Sequence, residues 1–171
     1  MEESGLTEEK DIVKFKIREF KPEDLERVIW INKTCLPENY SASFFMHHHY
    51  AHPKSFLVAE VNGEIVGYIM CRIEFGLSNL RFGLAKKGHV ISIAVLPQYR
   101  RRGIGESLMR KAMKAMKEYG ASEFYLEVRV SNIPAINLYR KLNYQITKRI
   151  IGYYLDGEDA YVMARAAEVI D

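Results

Sequence analysis

The segment Arg100-Arg101-Arg102-Gly103-Ile104-Gly105 has the residue types of an anion site. It follows the apolar run HVISIAVL (89–96) and Pro97, and it opens a stretch with helical period. Glycines at a helix start let the backbone approach a ligand, and free N–H groups there, with the helix dipole, favour negative charge. Three adjacent guanidiniums add charge-assisted contacts that suit a diphosphate. An exposed basic turn with no ligand would have the same composition. Both standard nucleotide motifs fail. No Lys-Ser/Thr pair follows the glycines, as a phosphate loop requires, and Leu108 stands where the dinucleotide pattern counted from Gly103 needs Gly or Ala.

A second group lies on EFYLEVRV (123–130). Alternate side chains of a strand share a face, so Glu123, Tyr125, Glu127 and Arg129 lie together, opposite Phe124, Leu126, Val128 and Val130. A face this polar between core elements marks either a cleft or a same-face ion pair of Glu127 with Arg129. A third group, His47-His48-His49 with His52, suggests metal binding by composition. Consecutive helical residues point about 100° apart, so only His48 and His52, at i and i+4, could share an ion. A partly exposed helix end is the plainer reading, and no metal is expected. Cys35 and Cys71 are too few for a disulfide framework, are not at metal spacing, and have no base partner visible in the sequence.

These groups need elements to hold them. FKIREF (15–20) alternates as a strand, and Pro22 opens a helix to about Thr34, with Glu23 and Asp24 in its first turn. LPENY (36–40) reads as a loop, and 41–51 as a short helix ended before Pro53. Asn62-Gly63 between two apolar runs predicts a hairpin. A loop near 76–87 then precedes the strand HVISIAVL. Gly103–Tyr119 carries Leu108, Met109, Ala112, Met113 and Met116 on one stripe, which is core packing, and Gly120 stops the helix. Strand 123–130, helix 133–142 with Asn132 as N-cap, strand 144–151, an Asp156-Gly157 turn and strand 159–166 complete a mixed α/β order, β-α-α-β-β-β-α-β-α-β-β.

The 171 residues, 48% hydrophobic and 27% charged, make one domain of ordinary apolar content. No apolar run approaches the roughly 18–20 residues that cross a bilayer, so a membrane span is excluded. MEESGLTEEKD has five acids against one Lys, the reverse of a signal peptide. Residues 1–13 are read as an acidic tail, 14–171 as the domain, and the cytoplasm as its compartment. The net charge of +3 hides an uneven distribution: Leu96–Lys117 holds seven basic residues and one acid, so it carries +6 and the remainder −3. That is one basic locus, not the broad basic field of a nucleic-acid binder.

Arg100-x-x-Gly103-x-Gly105 after a strand resembles the acetyl-CoA pyrophosphate loop of the GNAT superfamily of N-acetyltransferases. Gly88–Val95, Leu126–Asn132, Ala135 and Leu138-Tyr139 match further family motifs in order. With LPENY and Tyr153-Tyr154-x-Asp156-Gly157-Glu158-Asp159-Ala160-Tyr161, the chain is similar to the archaeal N-terminal acetyltransferases, a group related to the catalytic subunit of the NatA complex, over about residues 14–165. The resemblance implies the GNAT fold: a mixed, mostly antiparallel sheet of about seven strands with four helices. It implies acetyl-CoA as co-substrate, protein or peptide N-termini as acceptors (Ser, Ala or Thr starts, with Met-Leu tolerated), and an auxiliary subunit or work near the ribosome. Lysine or small-amine acetylation on the same fold is the first alternative, and a non-catalytic basic binding module the second.

The resemblance also assigns roles. Arg100, Arg101, Arg102, Gly103, Ile104 and Gly105 bind the diphosphate, backbone N–H groups of Ile93, Ala94 and Val95 serve the oxyanion, and Asn132 touches the pantetheine besides capping its helix. Glu127 with His89 of the neighbouring strand orients a water that relays the amine proton; His89, roughly 13–20 Å along the strand from 93–95, acts through water. Tyr139 is the candidate acid for the leaving thiolate, although a helix-face core aromatic would look the same. Glu38 holds the substrate N-terminus, Leu36 and Tyr40 wall the first side-chain pocket, and Tyr154, with Arg129 among the substrate contacts, closes the other side.

Overall fold

A computed structural model describes residues 13–168, so the acidic segment, Val13 apart, lies outside the described residues. The elements are β1 (Lys16–Glu19), α1 (Leu25–Cys35), α2 (Ala42–Ala51), β2 (Phe56–Val61), β3 (Glu64–Leu77), β4 (Leu84–Val95), α3 (Ile104–Glu118), β5 (Glu123–Arg129), α4 (Ile133–Lys141), β6 (Gln145–Ile150) and β7 (Ala160–Ala166). This is the order expected from the sequence. The strands form one open seven-stranded sheet, β1-β2-β3-β4-β5-β7-β6, in which only β4 and β5 run parallel.

The β2–β3 turn forms as its residues dictate: Asn62 and Gly63 take φ of +50° and +79°, the pair of positive values a tight two-residue hairpin requires. The Pro22 segment begins as a 3-10 turn, Pro22–Asp24, and only then becomes α1, because the Asp24 carboxylate accepts the Lys21 N–H at 2.8 Å and two guanidinium bonds from Arg18. The stripe Leu108, Met109, Ala112, Met113 and Met116 of α3 is wholly buried against the sheet. On β3, Tyr68, Arg72 and Glu74 point to one face and Ile73 to the other. Tyr68 bonds Asn32 of α1, whereas Gly88, opposite Ile73, abuts Met116 of α3, so α1 and α3 cover opposite faces.

Half of the loop expected at 76–87 is strand. β3 runs to Leu77 and β4 starts at Leu84, paired from Gly76↔Ala85 to Leu77↔Leu84. Gly76, Ser78, Asn79, Lys86 and Lys87 have loop composition, but each strand supplies the other's hydrogen bonds, and Lys87–His89 also pairs with β5. The short loop left over is tied down by Glu123, whose carboxylate accepts the Ser78 hydroxyl at 2.6 Å and the Asn79 N–H at 2.8 Å. Glu123 is therefore a structural member of the polar face.

At Gly88 side chains of both α3 and β5 press against β4. A Cβ there would lie 2.6 Å from Met116 Sδ and 3.0 Å from Phe124 Cδ1. Gly88→Ala should destabilise the protein by about 1–3 kcal/mol, the usual cost of overpacking. Denaturant unfolding measures this, and an unchanged midpoint would contradict the close packing.

Candidate active site

β4 and β5 stay paired for only three residues, Lys87↔Glu123, Gly88↔Phe124 and His89↔Tyr125, and then part. A bulge lies just beyond: Cys71 pairs with Val90 and Met70 with Ser92, leaving Ile91 as the extra residue. The parted strands open a cleft of about 440 Å³ whose lining includes Ile93, Leu126, Glu127 and Tyr139. Successive N–H groups of a strand point to alternate sides. Along Ile93–Val95, those turned away from β3 therefore face the opening instead of a neighbouring strand. That is the arrangement a developing oxyanion needs.

The pair expected from the sequence, His89 and Glu127, meets at the closed end of this opening. His89 Nε2 lies 2.7 Å from Glu127 Oε2 and His89 Nδ1 lies 2.8 Å from Glu74 Oε2. His89 is 7% exposed, and its ring stacks on Tyr125 at 4.0 Å, tilted by 14°. Glu74 also accepts the Arg72 Nε–H and the Tyr125 hydroxyl. Burial alone would depress the His89 pKa, but the hydrogen bonds and charges of Glu127 and Glu74 outweigh it and raise it above the ordinary imidazole value. The Glu74 carboxyl, although burial opposes its charge, is held far below the usual carboxylate range by His89, Tyr125 and Arg72. Protonated His89 therefore stabilises the fold fully below the unfolded imidazole pKa of about 6.5, and this contribution is lost as pH rises through the raised folded value.

The ion pair weighed for Glu127 and Arg129 is not the one formed. Glu127 is engaged by His89, and Arg129 bonds Glu38, Asp156 at 2.8 Å and Glu158 at 3.0 Å while its guanidinium lies 4.1 Å above the Tyr154 ring. Arg129 thus joins the LPENY loop to the β6–β7 connection across the mouth of the cleft. Leu36, Glu38 and Tyr40 line one wall, and Tyr153 and Tyr154 the other. The LPENY loop is fixed from beneath by Asn32, buried on α1, whose amide donates to the Glu38 carbonyl and the Tyr68 hydroxyl, both at 3.0 Å, and whose oxygen accepts the Tyr40 N–H at 3.3 Å. Tyr68 in turn meets Ser92 of β4 at 2.7 Å.

The basic turn caps α3. Arg101 and Gly103 take φ of +63° and +84°, and the Ser107 N–H makes a helical bond to the Gly103 carbonyl at 3.0 Å. The N–H groups of Ile104, Gly105 and Glu106 come ahead of that bond, as at any helix start, and are open to an anion. Arg101 and Arg102 are exposed, while Arg100 Nε donates to the Val95 carbonyl at 2.8 Å, tying the turn to the end of β4. Backbone donors, a positive-φ glycine and guanidiniums fit a diphosphate.

Tyr139 lies in the cleft wall, and burial pushes its phenol up to about 12. Asn132 borders the same cleft and caps α4, its oxygen accepting the Ala135 N–H at 3.4 Å. Cys35, also at the cleft, donates to the Val95 carbonyl at 3.7 Å, whereas Cys71 is buried away from it. The histidine cluster does lie at a partly exposed helix end: His47 is exposed, His49 and His52 are half-buried, and His48 is buried with Nδ1 on the Phe44 carbonyl at 2.8 Å. Among the described residues no group of three or more His, Cys, Asp or Glu is placed to hold a metal, and no helix is long and apolar enough to cross a membrane.

Comparison with known proteins places this geometry. The profile of the acetyltransferase (GNAT) family matches residues 25–144. The chain is 58% identical over 153 residues, 88% of its length and 92% of the relative's, to an N-alpha-acetyltransferase of Sulfurisphaera tokodaii. It superposes on the crystal structure of Ard1 from Thermoplasma volcanium with a TM-score of 0.78 at 34% identity, covering 90% of this chain and 98% of that one. Arabidopsis thaliana Naa50, in complex with the bisubstrate analogue CoA-Ac-MVNAL, matches with a TM-score of 0.77 at 26% identity, covering 90% and 99%. The reading as a non-catalytic basic module falls here. An open mostly antiparallel sheet, parted β4 and β5 strands and an Arg-Gly turn capping α3, together with these matches, establish that the chain belongs to the GNAT family of acetyltransferases.

Proposed function

We propose that this chain acetylates the α-amine of protein N-termini, favouring Ser, Ala and Thr starts and accepting Met-Leu, by direct attack on acetyl-CoA in a ternary complex. The observation that carries this reading is the cleft itself: two loop walls joined by Arg129 lead to Glu127, which His89 holds at the junction of the parted strands. Such a slot suits a chain end. The names of the similar proteins support the same acceptor.

The donor supplies an activated thioester carbonyl, and residues 14–171, read as one catalytic domain working in the cytoplasm, do the rest. The turn at Arg100–Gly105 binds the diphosphate, Asn132 steadies the pantetheine, and N–H groups of Ile93–Val95 donate to the carbonyl oxygen as negative charge develops on it. Glu38 orients the substrate N-terminus, Leu36 and Tyr40 shape the first side-chain pocket, and Arg129 and Tyr154 bear on the peptide backbone. Glu127, through a water, takes the amine proton. Tyr139, whose phenol burial pushes up and so keeps protonated near neutral pH, can protonate the leaving thiolate. An α-amine with pKa about 7.7–8.0 is roughly 10–15% neutral at pH 7, whereas lysine is well below 1%, so the first asks only a modest base and the second asks more. An auxiliary subunit or ribosome proximity would add delivery of substrate, not chemistry.

Thiol release from acetyl-CoA, measured across peptides beginning Ser, Ala, Met-Leu and Met-Glu and a blocked peptide with an internal lysine, tests this. Turnover should be fastest on the Ser and Ala peptides and near background on the lysine peptide. Faster turnover on lysine, or none on any free N-terminus, overturns the reading.

A further inference from the structure

We infer that Glu74 is a positioning residue of the acetyl-transfer site: its carboxylate fixes the His89 ring and its charge, so that Nε2–H is committed to Glu127 and the second oxygen of Glu127 is turned to the cleft. This rests on the reading of Glu127 as the group that takes the amine proton. Both ring nitrogens of His89 face carboxylate oxygens, at 2.8 Å to Glu74 and 2.7 Å to Glu127. An ionised carboxylate only accepts, and a neutral imidazole has one N–H, so a neutral ring would leave one nitrogen lone pair against an oxygen. The doubly protonated ring satisfies both. It can serve neither as base nor as proton acceptor; it can orient and stabilise the Glu127 carboxylate.

Glu74 is built to do this. Arg72 Nε–H and the Tyr125 hydroxyl hold its two oxygens, and Tyr125, stacked on His89, prevents the ring from turning over. The groups facing His89 are Arg72 and Glu74 from β3, Tyr125 and Glu127 from β5, and Lys87 on β4, whose ammonium sits 4.7 Å above the Tyr125 ring. Tyr40, from the LPENY loop, reaches the Ile91 carbonyl at 3.5 Å on the same side. Without Glu74 the cations Arg72 and Lys87 would face His89 with Glu127 as the one balancing anion. Loss of an adjacent carboxylate lowers an imidazole pKa by about 1–3 units.

Glu74→Gln tests this because the amide still accepts from Nδ1–H and fills the same space. NMR titration of the His89 imidazole should show its midpoint fall by about one unit or more. On a Ser-start peptide kcat should fall about tenfold near neutral pH, less than loss of the base itself, with the KM for acetyl-CoA unchanged. Glu74→Asp, which keeps the charge, should retain most of the raised midpoint and of kcat. Arg72→Gln, at a half-exposed side chain, removes a cation and should move the midpoint upward, a reading available even if Glu74→Gln folds poorly. A His89 midpoint unmoved in Glu74→Gln and Arg72→Gln overturns the inference, as does a lowered midpoint with unchanged kcat. Because the titration needs no turnover, it stands apart from failure of the N-terminal substrate assignment, which inactivity of the unaltered enzyme on every peptide would show.

Discussion

Glu127→Gln should lower kcat on a Ser-start peptide about a hundredfold near pH 6.5 and only several-fold near pH 8.5. The size follows from the contribution of a positioned base, typically 10²–10⁴-fold. The pH dependence follows from the amine: with a pKa of about 7.8 it is about 5% neutral at pH 6.5 and about 80% at pH 8.5, so the enzyme's acceptor is needed most where solvent has not removed the proton. The amide cannot take a proton, but it can still meet His89 Nε2–H through its oxygen, so the ring, the cleft and the KM for acetyl-CoA should change little. The mutant profile should therefore climb about tenfold per pH unit up to the amine pKa, steeper than the parent's. A mutant with full activity across this range would return Glu127 to a structural partner of His89. Parallel profiles with a uniform loss would mean that Glu127 orders the site without receiving the proton.

What could be read in advance was what is local in the chain. The Arg-Gly turn, the α3 stripe and the Asn62-Gly63 hairpin each depend on residues a few positions apart, and all three formed. The polar face of β5 was also visible from alternation, and it does open on a cleft. Its partners were not. Glu74 acts on His89 through the β3–β4 register, in which Arg72 stands opposite His89 and Glu74 opposite Lys87, and that register depends on a hairpin longer than its composition suggested and on a bulge at Ile91. Neither can be counted from one sequence. Arg129 finds Glu38 across 91 positions, a contact created by the loops, so its nearest carboxylate in sequence, Glu127, was a false lead. Asn32 left one signal: it sits with Val28 and Ile31 on the buried side of α1, where a polar side chain must find partners.

Arg102→Ala should raise the KM for acetyl-CoA about tenfold with little change in kcat, and Arg100→Ala should raise it similarly while also lowering kcat. One charge-assisted hydrogen bond to a phosphate is worth about 1.5–3 kcal/mol, and 1.4 kcal/mol is tenfold in affinity; exposure of the turn argues for the lower end. The two arginines differ because of where they are anchored. Arg102 is exposed, so its loss removes charge and donors alone. Arg100 Nε holds the Val95 carbonyl at the end of the parted strand, so its loss also frees the segment that presents N–H groups to the oxyanion. Salt separates charge from shape: the parent KM should rise with ionic strength, and that of Arg102→Ala should rise less. Lys114→Ala, on the exposed outer side of α3, should leave KM as it was, which distinguishes a diphosphate cradle from a diffuse attraction by the whole basic helix. If Lys114→Ala raises KM as much as Arg102→Ala, the basic locus acts as a field. If neither arginine matters, the backbone N–H groups that follow the Gly103 cap bind the diphosphate alone, and the three guanidiniums need another explanation.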